Sequence, residues 1–574
     1  MKKTTKIFVS LALCFTLLFT SVAGVSAAAI AEDSGTGSSF MVGVADKLNT
    51  IFNNVVDGLL KHIVKIIPAT YNIESVDDYT APVIMEGHDE FLDEPAENAQ
   101  WSLGYAQASI VPADFAEGKY YKGGYDVNLI LTEMLDDLKV RVVVLDDGSG
   151  RGAVAIAAID CLGLAQYDVG LIREALADYA AANNIVSINI SATHVHSGID
   201  TQGIYTDTIN SIVTNLSQAF FKGENLAPAI DESFRQLIIE KTAECVKSAF
   251  ESMTTGKLTY AKTNAAEYVR DRTEPDIMIE DLYRFMFTPD DGSMGTIISN
   301  FGVHPECIGY GTKVATSDFV YYTEQIVNEA GYNFIFLQGS VGTYTEDMGA
   351  SSDGLELDRI EATIRYGEEL GYILVAMTWT EEERMAIVDA DREAIAADNE
   401  EYTPWYTRET VEEKVLEPIL NVAHREYLAP VDNGVYELLG KLSAANNQMV
   451  TDSNGQYYAV SEVGFMEIGS VKIILCPGET YAELIRGGEN MDGFQYDSAY
   501  EIFGTEDVLV FDLVNDALGY IMPDHYFTYA TIRYVEGEGL LGITIDSSWG
   551  LTSLGSTAAS NIYGEIYDLA ASVR

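Results

Sequence analysis

Apolar residues along the chain fall into two periods. From position 40 to 67 they recur every three or four residues, as Phe40, Val44, Leu48, Ile51, Phe52, Val55, Leu59, Ile63, Val64 and Ile67, the spacing of one helical face. This segment is expected to be a helix packed on the main body. Weak contact with a membrane surface through residues 40–67 is the alternative, and its few basic residues disfavour it. Residues 71–99 are acidic and irregular, as in a wrapping arm or linker. From Trp101 onward, apolar runs of strand length alternate with helical ones. Residues 139–145 and 153–161 predict two strands joined by the turn Asp146-Asp147-Gly148-Ser149-Gly150. Residues 167–181 predict a helix and 185–192 a strand, followed by helices near 207–221 and 231–253. Further strands are expected at 258–262, 296–301, 333–337, 471–476 and 508–513, and a long helical stretch at about 355–399. The alternation indicates an α/β fold: a large layered domain with a mixed β-sheet flanked by helices, its active site at the C-terminal ends of strands. Residues 100–574 are expected to form this domain, preceded at 28–99 by a linker, the amphipathic helix and the acidic arm. No Ig-like run of short strands follows Tyr534, so no separate C-terminal β domain is expected.

The first residues change the expected location. Lys2, Lys3 and Lys6 precede an apolar run over residues 7–22, and Gly24-Val25-Ser26-Ala27-Ala28 follows. This is the pattern of a secretory signal peptide, residues 1–27, and implies a secreted protein. No later stretch reaches the ~18 unbroken apolar residues of a membrane span. Of the remaining cysteines, Cys161, Cys245, Cys307 and Cys476, none forms a Cys-x-x-Cys pair. Three lie in or at the end of apolar strand-like runs, so buried free thiols are expected.

Over its 574 residues the chain is 47% hydrophobic and 21% charged, an ordinary globular composition. Its 88 acidic and 34 basic residues give a net charge of −54. That excess argues against nucleic acid as a partner, because no basic surface would neutralise phosphates, and against docking on anionic lipid by charge alone.

Histidine is scarce, with seven in all, and three stand at predicted strand ends. His194 and His196 lie in Thr193-His194-Val195-His196-Ser197-Gly198, after the strand 185–192. Residues two apart in extended chain share a face, so both imidazoles can address one site. His304 follows the strand 296–301 in Phe301-Gly302-Val303-His304-Pro305-Glu306. Glu479 follows the strand 471–476 in Cys476-Pro477-Gly478-Glu479, at the expected start of a helix. Two histidines and a carboxylate from three strand ends are the ligand types a catalytic zinc takes. A lone His-x-His is a weak metal signal, and His-Pro and Pro-Gly-Glu, which often serve turns and caps, are weaker; together they favour zinc. His-Glu-x-x-His, Gly-x-Ser-x-Gly and Gly-x-Gly-x-x-Gly are all absent as strand-linked motifs, so zinc-protease helices, a serine elbow and a nucleotide cofactor are not indicated.

At these residues the sequence resembles the catalytic domain of the neutral/alkaline (non-lysosomal) ceramidase family, as a divergent bacterial-type member. Thr193–Gly198 resembles the family's Thr-His-Thr-His-Ser-Gly. Phe301-Gly302-Val303-His304-Pro305 is similar to Phe-Ala-x-His-Pro, and Pro477-Gly478-Glu479-Thr480 to its Pro-Gly-Glu segment. Asp271-Arg272-Thr273, residues 515–521 and residues 532–537 resemble further family segments, in the same order. The resemblance implies zinc held by His194, His304, Glu479 and Tyr520. It implies that His196, Arg272 and Tyr534 line the site, His196 moving a proton and Arg272 and Tyr534 steadying the carbonyl oxygen. The chain departs from the family at its serine-bearing loop. The ungapped match puts Gly339 where the family has Ser, with Ser340 one position on, so Gly339 and Ser340 form a candidate oxyanion or nucleophile loop. The function implied is zinc-dependent hydrolysis of an amide or ester bond, with N-acyl sphingoid lipids as nearest substrate class. Hydrolysis of a smaller N-acyl or ester compound, or ligand binding without turnover, are the alternatives.

Overall fold

The computed structural model describes residues 39–67, 73–206, 230–273, 276–348, 357–390, 403–442, 446–488, 493–534, 543–547 and 549–574, with a few isolated positions besides. The helix expected near 207–221 lies outside them. In chain order the elements that build the site are α1 (Ser39–Ile66), β1 (Ser102–Ser109), β2 (Lys139–Asp146), β3 (Ala153–Ile159), α2 (Gln166–Asn183), β4 (Ile185–Ala192), α3 (Glu232–Glu251), β5 (Thr254–Asn264), β6 (Asp281–Pro289), β7 (Gly295–Phe301), α4 (Phe319–Glu329), β8 (Tyr332–Gln338) and α5 (Arg359–Ala376). They continue with β9 (Leu420–Val431), β10 (Met449–Thr451), β11 (Tyr457–Ile468), β12 (Val471–Leu475), β13 (Glu479–Thr480), β14 (Val508–Phe511), β15 (Tyr520–Ile521), β16 (Ala530–Tyr534), β17 (Ile543–Ser547) and α6 (Ala558–Ser572).

The first sheet runs β8-β7-β6-β5-β1-β2-β3-β4, with the short segment Lys414–Val415 added against β5. It is mixed: β7–β8 and β3–β4 are parallel and the other neighbours antiparallel. The second sheet runs Glu74–Ser75, β10, β11, β12, β14, with β9 paired to β11 over twelve residues. Strands buried on both faces read as continuous apolar runs, and the seven residues of β3 are all buried.

The two sheets face one another across a core built from Val143, Ile156, Phe285 and Leu337 on one side and Val422, Met466, Ile473 and Leu509 on the other. Helices α2 and α3 cover the outer face of β2–β4 through Ile172, Leu176, Ile238 and Val246. Helices α4 and α5 cover β7 and β8 through Phe319, Val327, Tyr366 and Leu370, and α6 covers the second sheet through Ile562, Tyr563 and Ile566. The result is a four-layer helix–sheet–sheet–helix stack. Just past β14, Asp512 N donates to Gln338 O (2.9 Å), Ala192 N to Leu513 O (3.2 Å) and Asn515 N to Ile190 O (2.8 Å). That segment thereby joins the ends of β4 and β8, the two outermost strands of the first sheet.

Three expectations change in detail. The stretch 355–399 is not one helix: α5 ends at Ala376, and Thr380 starts a short new helix, Glu381–Met385. Thr380 is extended, and its side chain accepts from Glu383 N while the Glu383 side chain returns to the Thr380 backbone. This capping box begins a helix and breaks the one before it. Glu479 does not start a helix either; it pairs as a strand, and the helix follows at Glu483–Arg486. The apolar stripe of α1 also divides. Leu60, Ile63, Val64 and Ile67 are buried, whereas Leu48, Ile51, Val55 and Leu59 face solvent. The four cysteines of the described residues are buried and free.

Away from the strand ends lies a second buried polar cluster. Arg173 pairs with Glu462 (2.5 Å), Ser187 Oγ is 2.8 Å from His424 Nε2, and His424 Nδ1 is 3.4 Å from Glu462 Oε1. Ser187 is fully buried beneath His424, so this group ties α2, β4, β9 and β11 together.

Candidate active site

The strand-end histidines converge. The chain leaves β4 with Thr193 N bonded to Ile159 O and His194 N to Cys161 O. His194 then takes a left-handed conformation, φ 67°, costly for a residue with a Cβ and found where function holds it. One turn later His196 N donates to Pro305 O (3.0 Å), which locks this segment to the one carrying His304. One ring nitrogen from each of His194, His196 and His304 lies within 4.8 Å of the other two, and all three residues are buried.

Second contacts fix which nitrogen each ring presents. His194 Nδ1 donates to Leu162 O (2.7 Å) and His304 Nδ1 to Tyr344 O (2.5 Å), leaving both Nε2 atoms facing inward. Glu479 Oε2 lies 3.5 Å from His194 Nε2 and 3.4 Å from His304 Nε2. Burial alone would raise the Glu479 carboxyl, but His194 and His304 hold it well below the usual carboxylate range. Burial lowers His304, favouring its neutral form. His304 Nε2 and Glu479 Oε2 are both buried without a hydrogen-bond partner. A lone pair facing a carboxylate in a dry site is repulsive unless a cation or a proton lies between them. The donor set, imidazole nitrogens with a carboxylate, is the one zinc takes, and the arrangement fits a metal.

Tyr520 enters by backbone pairing: β13 and β15 are parallel, with Glu479 opposite Tyr520. Its phenol is buried, and burial, with the nearby Glu479 charge, pushes its pKa well above normal. His196 Nε2 lies 3.3 Å from His194 Nε2. Burial, reinforced by His194, keeps the His196 imidazole well below its usual range. Arg272 sits on the wall, its Nε donating to Thr343 O (3.1 Å) and its Nη1 to Glu306 Oε1 (2.9 Å). Its guanidinium lies 4.6 Å over the Trp549 ring, a cation–π contact. Arg272 Nη2 is buried and unpartnered. Tyr534 ends β16 opposite Ile543; its side chain lies outside the described ones.

At the candidate loop, the Gly339 amide and the Ser340 hydroxyl both bond to the protein. Gly339 N donates to Phe301 O (2.9 Å), and Ser340 Oγ to Thr480 O (2.9 Å). A Cβ at Gly339 would stand 2.6 Å from Gly302 N, so glycine here lets the ends of β7 and β8 close on each other. Asp512 fastens this turn to β13, accepting from Val341 N (3.0 Å) and Thr480 N (2.7 Å).

Among solved structures, this architecture is similar to the neutral ceramidase from Pseudomonas aeruginosa, with TM-score 0.54 and 14% identity over 83% of this chain and 74% of that one. A ceramidase complexed with C2 gives TM-score 0.51 at 14% identity, over 82% of this chain and 76% of the other. The likeness is one of fold. No family model matches the chain, and no curated protein matches its sequence.

Several neighbours of the site were not singled out in the sequence. Glu306 accepts from Tyr125 OH, Thr345 Oγ1 (2.5 Å) and Arg272, and its Oε2 is 3.9 Å from His196 Nδ1. Burial would raise its carboxyl, but Arg272 and the histidines draw it well below the normal range. Glu346, bonded to the same Thr345 hydroxyl, is pushed up to about 8 by burial and by the charge on Glu306. Of the two carboxyls, Glu306 therefore carries the charge. The Tyr125 ring packs at a tilt against His196 and Tyr310, with centroids 4.7 and 4.1 Å away. A charged residue next to His-Pro at a buried strand end was the available clue for Glu306. Tyr125 and Trp549 had none, because the chain brings them in from loops remote in sequence.

Proposed function

We propose that this protein is a secreted, zinc-dependent hydrolase that cleaves an amide bond, with N-acyl sphingoid lipids as its nearest substrate class. The observation that carries the proposal is the unpartnered, buried pair of His304 Nε2 and Glu479 Oε2 beside His194. His194, His304, Glu479 and Tyr520 would hold the zinc, which when bound supplies a Lewis acid and lowers the pKa of water toward ~7. The substrate class comes from the sequence resemblance, supported by the likeness of fold; secretion comes from the N-terminal pattern.

The chain's own groups divide the remaining work. Leu162 O and Tyr344 O fix the tautomers of His194 and His304. His196, neutral at rest, is placed to take a proton from attacking water and return it to the leaving nitrogen. Arg272 is held rigidly by Glu306, Thr343 O and Trp549, so Nη2 is aimed before charge develops. Such preorganised donors stabilise a developing oxyanion at little reorganisation cost. No serine is required in this scheme, which accords with the bond Ser340 makes to Thr480 O.

The test is elemental analysis of the purified protein together with hydrolysis of a panel spanning ceramides, short N-acyl amines and esters. The proposal expects about one zinc per chain, loss of activity on chelation, recovery with zinc, and preference for N-acyl sphingoid amides. Preference for small esters would assign the alternative substrate class. Bound zinc without turnover of any member would assign a binding role.

A further inference from the structure

Helix α1 carries a feature the site does not explain. Leu48, Ile51, Val55, Leu59 and Ile66 are 42–61% exposed. At ~100° per residue they fall within a sector of about 80°, in a stripe roughly 27 Å long. Exposed His62 lies in the same sector between Leu59 and Ile66, so the apolar run is unbroken from Leu48 to Leu59; scattered exposed apolar residues are ordinary, whereas such a run marks an interaction surface. Lys47, Lys61 and Lys65, all exposed, line one edge of it. The helix holds three lysines and two aspartates, in a chain whose net charge is −54.

The opposite side of α1 is bound tightly. Asn49, Asn53 and Asp57, one turn apart, grip the start of β16. Asn49 Oδ1 accepts from Ile532 N (2.9 Å), Asn53 Oδ1 from Tyr529 N (2.7 Å) and Ala530 N (3.1 Å), and Asp57 from Tyr529 OH (3.0 Å). Leu60 packs with Val435 and Tyr529, and Leu551 packs against the same group. Leu551 belongs to the turn Trp549–Thr552, whose Trp549 stacks on Arg272. The stripe is therefore carried by a helix anchored to the segment that walls the candidate site.

We infer that α1 docks the protein on an anionic lipid surface, the stripe entering the headgroup boundary and the lysines meeting lipid phosphates. The basic residues are too few for docking by charge alone, but the structure adds an exposed apolar stripe with the three lysines gathered along one edge, the pattern of an interfacial helix: the apolar side chains leave water while the lysine stems reach up to the charged heads. A second copy of this chain is a poorer occupant. Two stripes packed together would need carboxylates along their edges to meet these lysines. The helix's two acids, Asp46 and Asp57, lie on the far side of the lysines from the stripe, and Asp57 is already bonded to Tyr529 and Lys61. Docking does not depend on the proposed chemistry; its use, to feed the site from a lipid surface, rests on the lipid-amidase reading.

The test uses the chain with its N-terminus as processed by the producing cell, sedimented with vesicles of phosphatidylcholine alone or with one-quarter phosphatidylglycerol. The wild type is expected to bind the mixed vesicles. Ile51→Asp/Val55→Asp, or the milder Leu48→Gln/Leu59→Gln should the first pair unfold, is expected to lower binding at least tenfold, with thermal melting unchanged. Lys47→Glu/Lys65→Glu is expected to weaken binding to mixed vesicles only. All variants should hydrolyse a water-soluble amide at wild-type rate. The inference is overturned if the wild type ignores vesicles or if folded stripe variants bind as it does. It is also overturned if the stripe variants convert a wild-type dimer to monomer without changing vesicle binding. Vesicle binding by a protein that hydrolyses nothing would sink the proposed function and leave this inference standing.

Discussion

Glu479 and Tyr520 stand opposite each other, in register, on the parallel pair β13–β15. Residues so paired present their side chains to one face, and the Tyr520 phenol feels the charge of Glu479. Glu479→Gln is expected to weaken zinc binding by more than the ~10–100-fold typical of outer contacts. Tyr520→Phe keeps the ring against Tyr481 and Met522 and should cost about tenfold. Competition with a chromogenic chelator measures both, and unchanged near-UV circular dichroism would confirm that the fold persists.

His196 tests how the three imidazoles share their work. If it moves protons, His196→Gln retains zinc and lowers kcat by ~10²–10⁴. Loss of zinc from this variant in elemental analysis would instead make His196 a ligand beside His194 and His304.

Ser340→Ala should retain activity within about tenfold, because its hydroxyl is spent on Thr480 O rather than aimed at substrate. A fall in kcat of ~10³ with zinc still bound would place this serine in the chemistry. Gly339→Ala is the contrasting variant: its methyl has no room against Gly302, so a lowered melting temperature is expected, with activity falling alongside it.

The buried His424 predicts a pH signature. Burial, with Arg173 adding to it against Glu462, holds its imidazole down to about 4, while the unfolded chain's histidine takes up a proton near 6.5. Between those values the unfolded state binds more protons, so this group's contribution falls as pH drops from 6.5 toward 4. The destabilisation caused by His424→Asn should therefore be largest at pH 7.5 and shrink toward pH 4, by on the order of 3 kcal/mol. Urea unfolding at several pH values measures it; a gap independent of pH would contradict the assignment.

The sequence was most legible where period and burial agree. The runs at 139–145, 153–161 and 185–192 lie on β2, β3 and β4, and the histidines after β4 and β7 were already placed at strand ends. Helix α1 was found at its observed position, but its face was misjudged. Leu48 and Leu60 are both leucine, and only the neighbouring β16 and Val435 decide which of them is covered. The break at Thr380 turned on a local cap inside a helical pattern, a contest that composition does not settle. Tyr520 was one tyrosine among 34, and without the resemblance nothing local marked it. Its place depends on pairing with a strand 41 positions earlier, a long-range contact that periodicity does not encode.

The site also lies across a seam in the molecule. His194 and His304 end strands of the first sheet, whereas Glu479 and Tyr520 follow strands of the second, and the core between them is what brings the two sets together. Neither portion of the gene alone would encode a competent pocket. Two fragments divided between β8 and β9 would rebuild the pocket only by complementation, as the sheets dock. Metal uptake by such a split chain would report assembly of its halves, and drift at the sheet interface would part Glu479 from the histidines without altering any of them.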